Sequence, residues 1–395
     1  MKRTEYDHNS FFNYAIIFIA ILLMLSTFSG TASAADEPTG SSITLSGTME
    51  GFKISNQGTE AEPYNIIVTD SVTLTSPIRI SGGSYVTVSG GGTIRYAGSS
   101  SSGYSWEHSM FLVSGATFVV GDVDLVLVSG EHCIYVSNGA ADGKVILNDG
   151  RLRSENNDGI GIYGSWGILI QYLTNTVIEI NGGSVSGFNA GIYTGQVIVT
   201  MNDGVISDCR TGCAFNEGGM KTFNGGSIVS CTTGINLSNS AHVDYHGGTI
   251  SDCRYGVNGR QTSQSYKNRF RMYGGRITGC EYGIYSVRNC YLLGGTIDAC
   301  NIGVSGYNAN ASWTLQLGGT QSFVENREAD IDLTNSISTS GEKVLSLSSF
   351  TPTSSIRLKG IPGPENAEGY TVFAVAASDN ALVFTDDLAS HFVSA

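Results

Sequence analysis

The fold of this chain is decided by a repeated stretch whose clearest copy is Asn224-Gly-Gly-Ser-Ile-Val-Ser-Cys-Thr-Thr-Gly-Ile235. Related copies begin at Asn202, His246, Tyr273 and Leu293. Each copy has Gly at its third position, Ile at its fifth, Cys at its eighth and a further Gly at its eleventh. The copies recur every 20 to 27 residues, which is the range of solenoid proteins and repeat arrays.

Within a copy, apolar and polar residues alternate over short runs that glycines interrupt. This period of two predicts strands broken by bends and contradicts a helical stripe of period 3.6. A short strand cannot bury one apolar face alone, but stacked copies bury it against one another. The sequence therefore predicts an all-β parallel solenoid with two inward columns, one of Ile206, Ile228, Ile250, Ile277 and Ile297, and one of Met201, Phe223, Tyr245, Met272 and Leu292.

The glycine columns are expected to supply positive φ angles or close backbone contacts at the corners. A leucine-rich solenoid is the structural alternative, but the Leu-rich consensus and the helix of that repeat are missing. The pattern Asn-Gly-Gly-Ser/Thr-Ile-x-x-Cys-x-x-Gly-Ile resembles the right-handed parallel β-helices of the pectin-lyase-like superfamily, and above all the adhesin-like repeats of prokaryotic secreted and cell-surface proteins. The resemblance covers about Ser42 to Asp330. It implies the architecture and leaves the function open, because that superfamily includes lyases, hydrolases, tailspikes and non-catalytic surface proteins.

Four segments are predicted along the chain. Residues 1–34 have the pattern of a secretory signal peptide, with Lys2 and Arg3, an apolar run from Phe11 to Leu25 and the small-residue sequence Ala32-Ser33-Ala34. The alternative is an uncleaved membrane anchor. Residues 35–110 are assigned to an N-terminal cap and first coils, 111–330 to the repeats and 331–395 to a β-rich closing segment.

The composition is that of an exported β-rich protein, with 52 glycines and only 14% charged residues. The net charge of −13 argues against nucleic acid and anionic lipid as partners. We therefore expect a secreted, extracellular or cell-surface protein that contacts a membrane only if the signal segment stays attached.

Two further columns call for a structural or a chemical interpretation. Five cysteines share one position of the repeat: Cys209, Cys231, Cys253, Cys280 and Cys300. A straight column does not converge on a zinc ion, and parallel side chains disfavour disulfides, so we expect buried reduced thiols, with Phe188 and Val324 at the same position in the flanking coils. Asn148, Asn181, Asn202 and Asn224 precede the glycine pairs, and stacked amides there are expected to hydrogen-bond along the stack.

Catalytic and metal sites are not predicted, and neither is a cofactor. Asn156-Asn157-Asp158-Gly159 resembles the Asn-x-Asp-Gly motif of polygalacturonase-like hydrolases. The neighbouring acid pair, the Gly-His-Gly and the Arg-x-Lys of that family are missing, so the match is interpreted as a turn. Asp208 and Asp252 share a column two rungs apart, ~9.6 Å, which is too far for one Ca²⁺ ion with ligands at about 2.4 Å.

Outward aromatic residues are the remaining functional signal. Tyr163, Tyr193 and Tyr285 each follow an inward Ile, and Trp166 lies near the first of them. These four residues are the candidate carbohydrate-binding site, although Tyr is also simply a good strand former. The favoured function is an adhesin-like binder of a polysaccharide, a surface glycan or another surface protein. The alternatives are a polysaccharide lyase or glycoside hydrolase on the same fold, and a structural spacer in a larger surface assembly.

Overall fold

The chain folds into a parallel β-helix in which three strands, separated by corners, form each coil. This computed structural model describes residues 40–98, 106–137, 142–164, 175–259, 267–306, 313–332, 343–350, 356–359 and 392–394. All strand pairs in these residues are parallel, and each strand pairs with its counterparts in adjacent coils. The predicted all-β solenoid is confirmed. The predicted signal peptide lies outside the described residues.

Within the described residues, the first sheet has 13 strands. They are Ser42–Thr44, Tyr64–Ile67, Tyr85–Ser89, Thr117–Val120, Lys144–Leu147, Val177–Ile180, Ile198–Met201, Met220–Phe223, His242–Tyr245, Arg269–Met272, Asn289–Leu292, Trp313–Gly319 and Lys343–Phe350. The second sheet has 12 strands in the same part of the chain. They are Gly47–Met49, Ser71–Leu74, Thr93–Ala97, Asp124–Ser129, Arg151–Ser154, Ser184–Ser186, Val205–Ser207, Ser227–Val229, Thr249–Ser251, Arg276–Thr278, Thr296–Asp298 and Ser322–Val324.

The third sheet has 14 strands among the described residues. They are Lys53–Ser55, Ile78–Ser81, Ser109–Ser114, His132–Ser137, Ile160–Gly164, Ala190–Thr194, Thr211–Phe215, Thr233–Leu237, Tyr255–Asn258, Tyr282–Tyr285, Ile302–Ser305, Ala329–Asp332, Ile356–Lys359 and Phe392–Ser394. The described helical structure is a single 3₁₀ turn, Trp106–His108. No helix in the described ranges is long and apolar enough to cross a membrane.

The core is made of the predicted columns. Ile228, Ile250 and Ile277 pair in register on consecutive rungs of the second sheet, and Ile250 and Ile277 have no exposed surface. The second column, which includes Phe223 and Tyr245, pairs in the same way in the first sheet, with ring centroids 5.9 Å apart. Each inward side chain therefore contacts the equivalent side chain of the coils above and below. This contact buries apolar surface that a single coil would leave in water.

The corner between the first and second sheets is built from the Asn-Gly-Gly segment. Gly248 has a φ of 93°, and a Cβ placed there would lie 2.6 Å from the carbonyl oxygen of Gly226 one coil below. Both the φ angle and this close approach require glycine. The adjacent column forms the predicted amide ladder, in which Nδ2 of each Asn donates to Oδ1 of the Asn below, at 3.1 Å for Asn181–Asn148 and 2.8 Å for Asn202–Asn181 and Asn224–Asn202.

A second glycine column faces the interior at the start of the third sheet. A Cβ added to Gly256 would lie 2.5 Å from the carbonyl oxygen of Gly283 and 2.9 Å from Cγ2 of Ile277. This glycine has no positive φ, so close packing and not backbone conformation requires it. The prediction that the glycines serve conformation or close approach is confirmed: the first column serves both purposes, and the second serves close approach alone.

The cysteine column is buried beside these glycines. All eight cysteines are free, and the five of the column expose 3% or less of their surface. Phe188 occupies the equivalent position one coil earlier, because Val185 pairs with Ile206. The expectation for Val324 is wrong. Ile297 pairs with Phe323, so Asn326 takes the position that follows Cys300, while Val324 pairs with Asp298 and is 41% exposed.

The connections differ in length from corner to corner. The first-to-second corner is short in the repeat region, as in Asn224-Gly225-Gly226. The connection from the third sheet to the next coil varies in length; for example, it has three residues at 195–197 and ten at 259–268. The connection 98–108 lengthens one second-to-third corner. Insertions therefore border the third sheet, the sheet that carries the predicted tyrosines.

The core assignment predicts that Ile250→Asp destabilises the chain by at least about 3 kcal/mol, because it buries an unpaired charge in the middle of the stack. Asp252→Asn is the matched control. Asp252 is exposed and has a φ of 56°, a conformation that Asn also tolerates, so the change is expected to be nearly neutral. Thermal melting measures both variants, and equal shifts would contradict the inward and outward assignment.

Close packing at the glycine column predicts that Gly256→Ala costs about 1–3 kcal/mol, since the added methyl group overlaps backbone atoms of the next coil. Gly218→Ala provides the control, because a Cβ at Gly218 would meet nothing within 4 Å and its φ is not positive. Urea unfolding compares the two. A Gly256→Ala midpoint equal to that of wild type would refute the steric explanation.

Candidate functional site

The outer face of the third sheet carries a column of tyrosines on consecutive rungs. Tyr135 pairs with Tyr163, and Tyr163 pairs with Tyr193. Ile162 and Ile192, which precede two of these residues, are fully buried, so the predicted outward direction of the tyrosines is confirmed. Sequence analysis missed Tyr135, although the pair Ile134-Tyr135 repeats the pattern of Ile162-Tyr163 with Cys133 in place of the glycine.

The rings of this column stack on one another. Tyr163 and Tyr193 are nearly parallel, with centroids 5.4 Å apart and an interplanar angle of 5°, and Tyr135 lies 5.0 Å from Tyr163 on the other side. Both faces of Tyr163 are therefore directed at neighbouring tyrosines. A sugar ring therefore cannot stack on a face of Tyr163 without displacing one of these neighbours.

Tyr285 belongs to a second aromatic group. Its ring centroid lies 5.0 Å from those of both Tyr255 and Tyr282, which are themselves 5.5 Å apart. The pairing Tyr193–Ala214–Asn236–Asn258–Tyr285 places Tyr285 four rungs beyond Tyr193, which is 4 × 4.8 Å or ~19 Å. The structure thus brings Tyr163 and Tyr193 together and separates Tyr285 from them. Trp166 lies outside the described residues.

Three smaller residues fill the rungs between the two aromatic groups, and we call Ala214, Asn236 and Asn258 the polar interval. Thr211 and Thr233 pair at the start of the same strands, where Thr211 is half-buried and Thr233 is buried. Asn236 and Asn258 are half-buried, and Nδ2 of Asn236 donates to Oγ of Ser238 at 3.2 Å. The methyl side chain of Ala214 is much smaller than the ring of Tyr193 on the adjacent rung. The face therefore offers amide and hydroxyl groups bordered by an aromatic side chain at each end.

The connection after Phe215 positions the first of these borders. Nδ2 of Asn216 donates to the hydroxyl oxygen of Tyr193, and the backbone N–H of Asn216 donates to the carbonyl of Thr194 at 3.0 Å. Nε2 of Gln196 donates to Oε2 of Glu217 at 3.1 Å across the adjacent connections. The orientation of the Tyr193 hydroxyl is thus tied to the corner that follows the sheet.

Lys221 holds this corner from inside the core. It pairs with Val199 and Val243 in an inward column and exposes 1% of its surface. Nζ donates to the carbonyl oxygens of Gly195 at 3.0 Å, Glu217 at 2.7 Å and Gly219 at 3.3 Å, and also to that of Gly218. Burial lowers the pKa of Lys221 to about 7, whereas the nearby Glu217 carboxylate acts in the opposite direction. Sequence analysis missed this residue, because lysine is almost never fully buried and is ordinarily expected at the surface.

His132 lies at the other end of the tyrosine column and is fully buried. Its Nδ1 lies 3.1 Å from Oγ of Ser109, and its ring centroid lies 4.8 Å from that of Tyr163. Burial lowers the pKa of His132 to about 3, with a smaller contribution from His108. The imidazole is therefore neutral at physiological pH, and its ring packs against the tyrosine column.

Several carboxylates in the described residues have partners within the protein. Asn156-Asn157-Asp158-Gly159 is the predicted turn, with φ angles of 54° at Asn157 and 73° at Gly159, and the Gly159 N–H donates to Oδ1 of Asp158 at 2.7 Å. Several acids instead pair with arginines on neighbouring rungs, as in Asp244–Arg271 and Asp298–Arg276, both at 2.5 Å. No group of three or more His, Cys, Asp or Glu side chains that would hold a metal ion occurs in the described part of the chain.

The low pKa of Lys221 predicts how stability varies with pH. Between about pH 7 and the ordinary lysine pKa of 10.5, the unfolded chain holds a proton that the folded chain has lost, so the free energy of unfolding rises with pH. Relative to Lys221→Met, wild type should gain on the order of 1–4 kcal/mol from pH 6.5 to pH 10. Urea unfolding at both pH values measures the difference, and parallel pH profiles of the two proteins would contradict it.

No protein-family model, curated protein or solved structure matches this chain.

Proposed function

We propose that this chain is an exported, non-catalytic surface or extracellular protein that binds a linear glycan along the third sheet. The proposal assigns it to the adhesin-like β-helices that its repeat resembles. The observation that carries the proposal is the polar interval, Ala214, Asn236 and Asn258, bordered by Tyr193 and Tyr285.

The chemistry of this face suits hydroxyl-rich ligands. Amide groups of Asn donate and accept hydrogen bonds, and threonine hydroxyls do the same. Aromatic rings at the ends provide apolar surface for the carbon faces of sugar rings. Because the coils repeat every ~4.8 Å, equivalent polar groups recur along the axis at a constant interval. A chain of similar sugar units matches such a periodic surface better than a compact ligand does.

The pairing of the acids supports binding over hydrolysis. Glycoside hydrolysis by the common mechanism requires two carboxyl groups that flank the scissile bond. On the second sheet, Asp124 forms an ion pair with Arg153 at 3.0 Å, and Glu155 forms one with Arg95 at 2.7 Å. These carboxylates are bound by guanidinium groups, and the polar interval has no acid among its members.

The test is a glycan-array screen of the chain, followed by titration of the best ligand against Tyr193→Ala and Asn236→Ala. Both substitutions alter the polar interval or its border, so each should weaken binding by about tenfold or more. Tyr291→Ala is the matched control, because Tyr291 is a half-buried tyrosine on the outer face of the first sheet. Its affinity should equal that of wild type.

A reducing-sugar assay on the same ligand runs in parallel. Binding without release of reducing ends is the expected result. Release of reducing ends would replace the proposal with an enzymatic function. Equal losses of affinity in Tyr193→Ala and Tyr291→Ala would move the binding site away from the third sheet.

A further inference from the structure

Five thiols occupy one buried column at consecutive coils. The column consists of Cys209, Cys231, Cys253, Cys280 and Cys300. Backbone hydrogen bonds cross it from coil to coil, for example from the N–H of Glu281 to the carbonyl of Cys253 at 3.1 Å and from the N–H of Asn301 to the carbonyl of Cys280 at 3.0 Å. The thiols are therefore held in a row by the same register that stacks the core.

Each thiol has the same surroundings. Sγ donates to the carbonyl oxygen two residues earlier, at 3.2 Å in Cys209 and 3.3 Å in Cys253. The same bond measures 3.5 Å in Cys231 and 3.4 Å in Cys280 and Cys300. The backbone of Gly256 borders the row, because a Cβ there would lie 3.4 Å from Sγ of Cys280. At that coil the row is therefore bordered by a glycine backbone and not by a side chain.

The spacing of the row fits one type of coordination. Adjacent rungs are ~4.8 Å apart, and two metal–thiolate bonds of about 2.3 Å in line span ~4.6 Å. A two-coordinate ion midway between neighbouring sulfur atoms therefore needs little movement of the backbone. Tetrahedral ions need four converging ligands, which a straight row does not supply. Soft thiolate ligands select soft cations such as Cu(I).

We propose that this thiol column is a binding site for soft monovalent d¹⁰ cations, Cu(I) or Ag(I), with one ion in each of the four gaps between neighbouring sulfur atoms. Each ion breaks one S–H bond, releases that proton to solvent and accepts an electron pair from each of two sulfur atoms. Four ions replace four protons and the fifth proton stays on the column. The exchange leaves the charge of the buried column unchanged and involves no oxidation or reduction.

The test uses Ag(I), which is redox-inert under these conditions, added as the nitrate to the full chain in chloride-free buffer after reduction with a phosphine. The protein then passes through a desalting column that contains excess free methionine. Elemental analysis gives the number of bound ions, and a pH-stat gives the protons released. The expected result for wild type is four ions and four protons, together with a higher melting temperature.

The variants distinguish a bridged column from independent thiols. Cys253→Val interrupts the middle of the column and removes two gaps, so it should bind two ions. Cys300→Val removes an end and one gap, so it should bind three. Cys290→Val is the control, because Cys290 is fully buried in the first sheet and outside the column, and it should still bind four. Melting curves without silver verify that each variant is folded.

Two results would overturn the proposal. One is the absence of retained silver in folded wild-type protein. The other is the same loss of ions in Cys253→Val, Cys300→Val and Cys290→Val, which would mean that each thiol binds independently. Should Cys253→Val fail to fold, the comparison of Cys300→Val with Cys290→Val still decides between the two arrangements.

Discussion

The structure depends on one constraint, which is that every side chain of a coil meets its own counterpart at the spacing of adjacent β-strands. Ile250 contacts a column of isoleucines, and Tyr245 lies between Phe223 and Phe270 with ring centroids 5.9 Å away on each side. Apolar surface is buried between coils and not within one. The stability of any coil therefore depends on its neighbours, and a change at one rung affects the rungs on both sides.

Because of the same constraint, polar side chains of one column form hydrogen bonds with one another. Each Asn of the corner ladder donates to the one below, and the ladder ends at His246, whose ring stacks on Tyr273 with centroids 4.7 Å apart and an interplanar angle of 5°. Arginines on one rung neutralise acids on another, as Arg271 does for Asp244. Side chains that are bonded to side chains of neighbouring coils in this way serve the fold. Positions where a column changes its residue type are therefore better candidates for function.

Three such changes lie close together in the repeat region. The tyrosine column stops after Tyr193, the inward valine column is interrupted by Lys221, and the aromatic side chain at the position of Phe188 gives way to Cys209. Lys221 binds carbonyls of the corner that also holds Asn216 against Tyr193. A buried lysine thus supports the border of the proposed binding face, which connects an exception in the core to a feature of the surface.

The sequence alone determined the fold, the inward isoleucines, the amide ladder and the buried cysteines. It could do so because a fixed corner of three residues, such as Asn224-Gly225-Gly226, keeps successive copies in phase, and each column then has one chemistry. The tertiary structure decided what depends on contacts between coils. It showed that Tyr135 extends the tyrosine column, that these rings cover one another, and that Asn326 and not Val324 follows Cys300. The physical reason is that the connections between strands differ in length from coil to coil. Spacing in the sequence therefore does not show which residues of successive coils lie side by side, whereas hydrogen bonds between the coils fix that register in the folded structure.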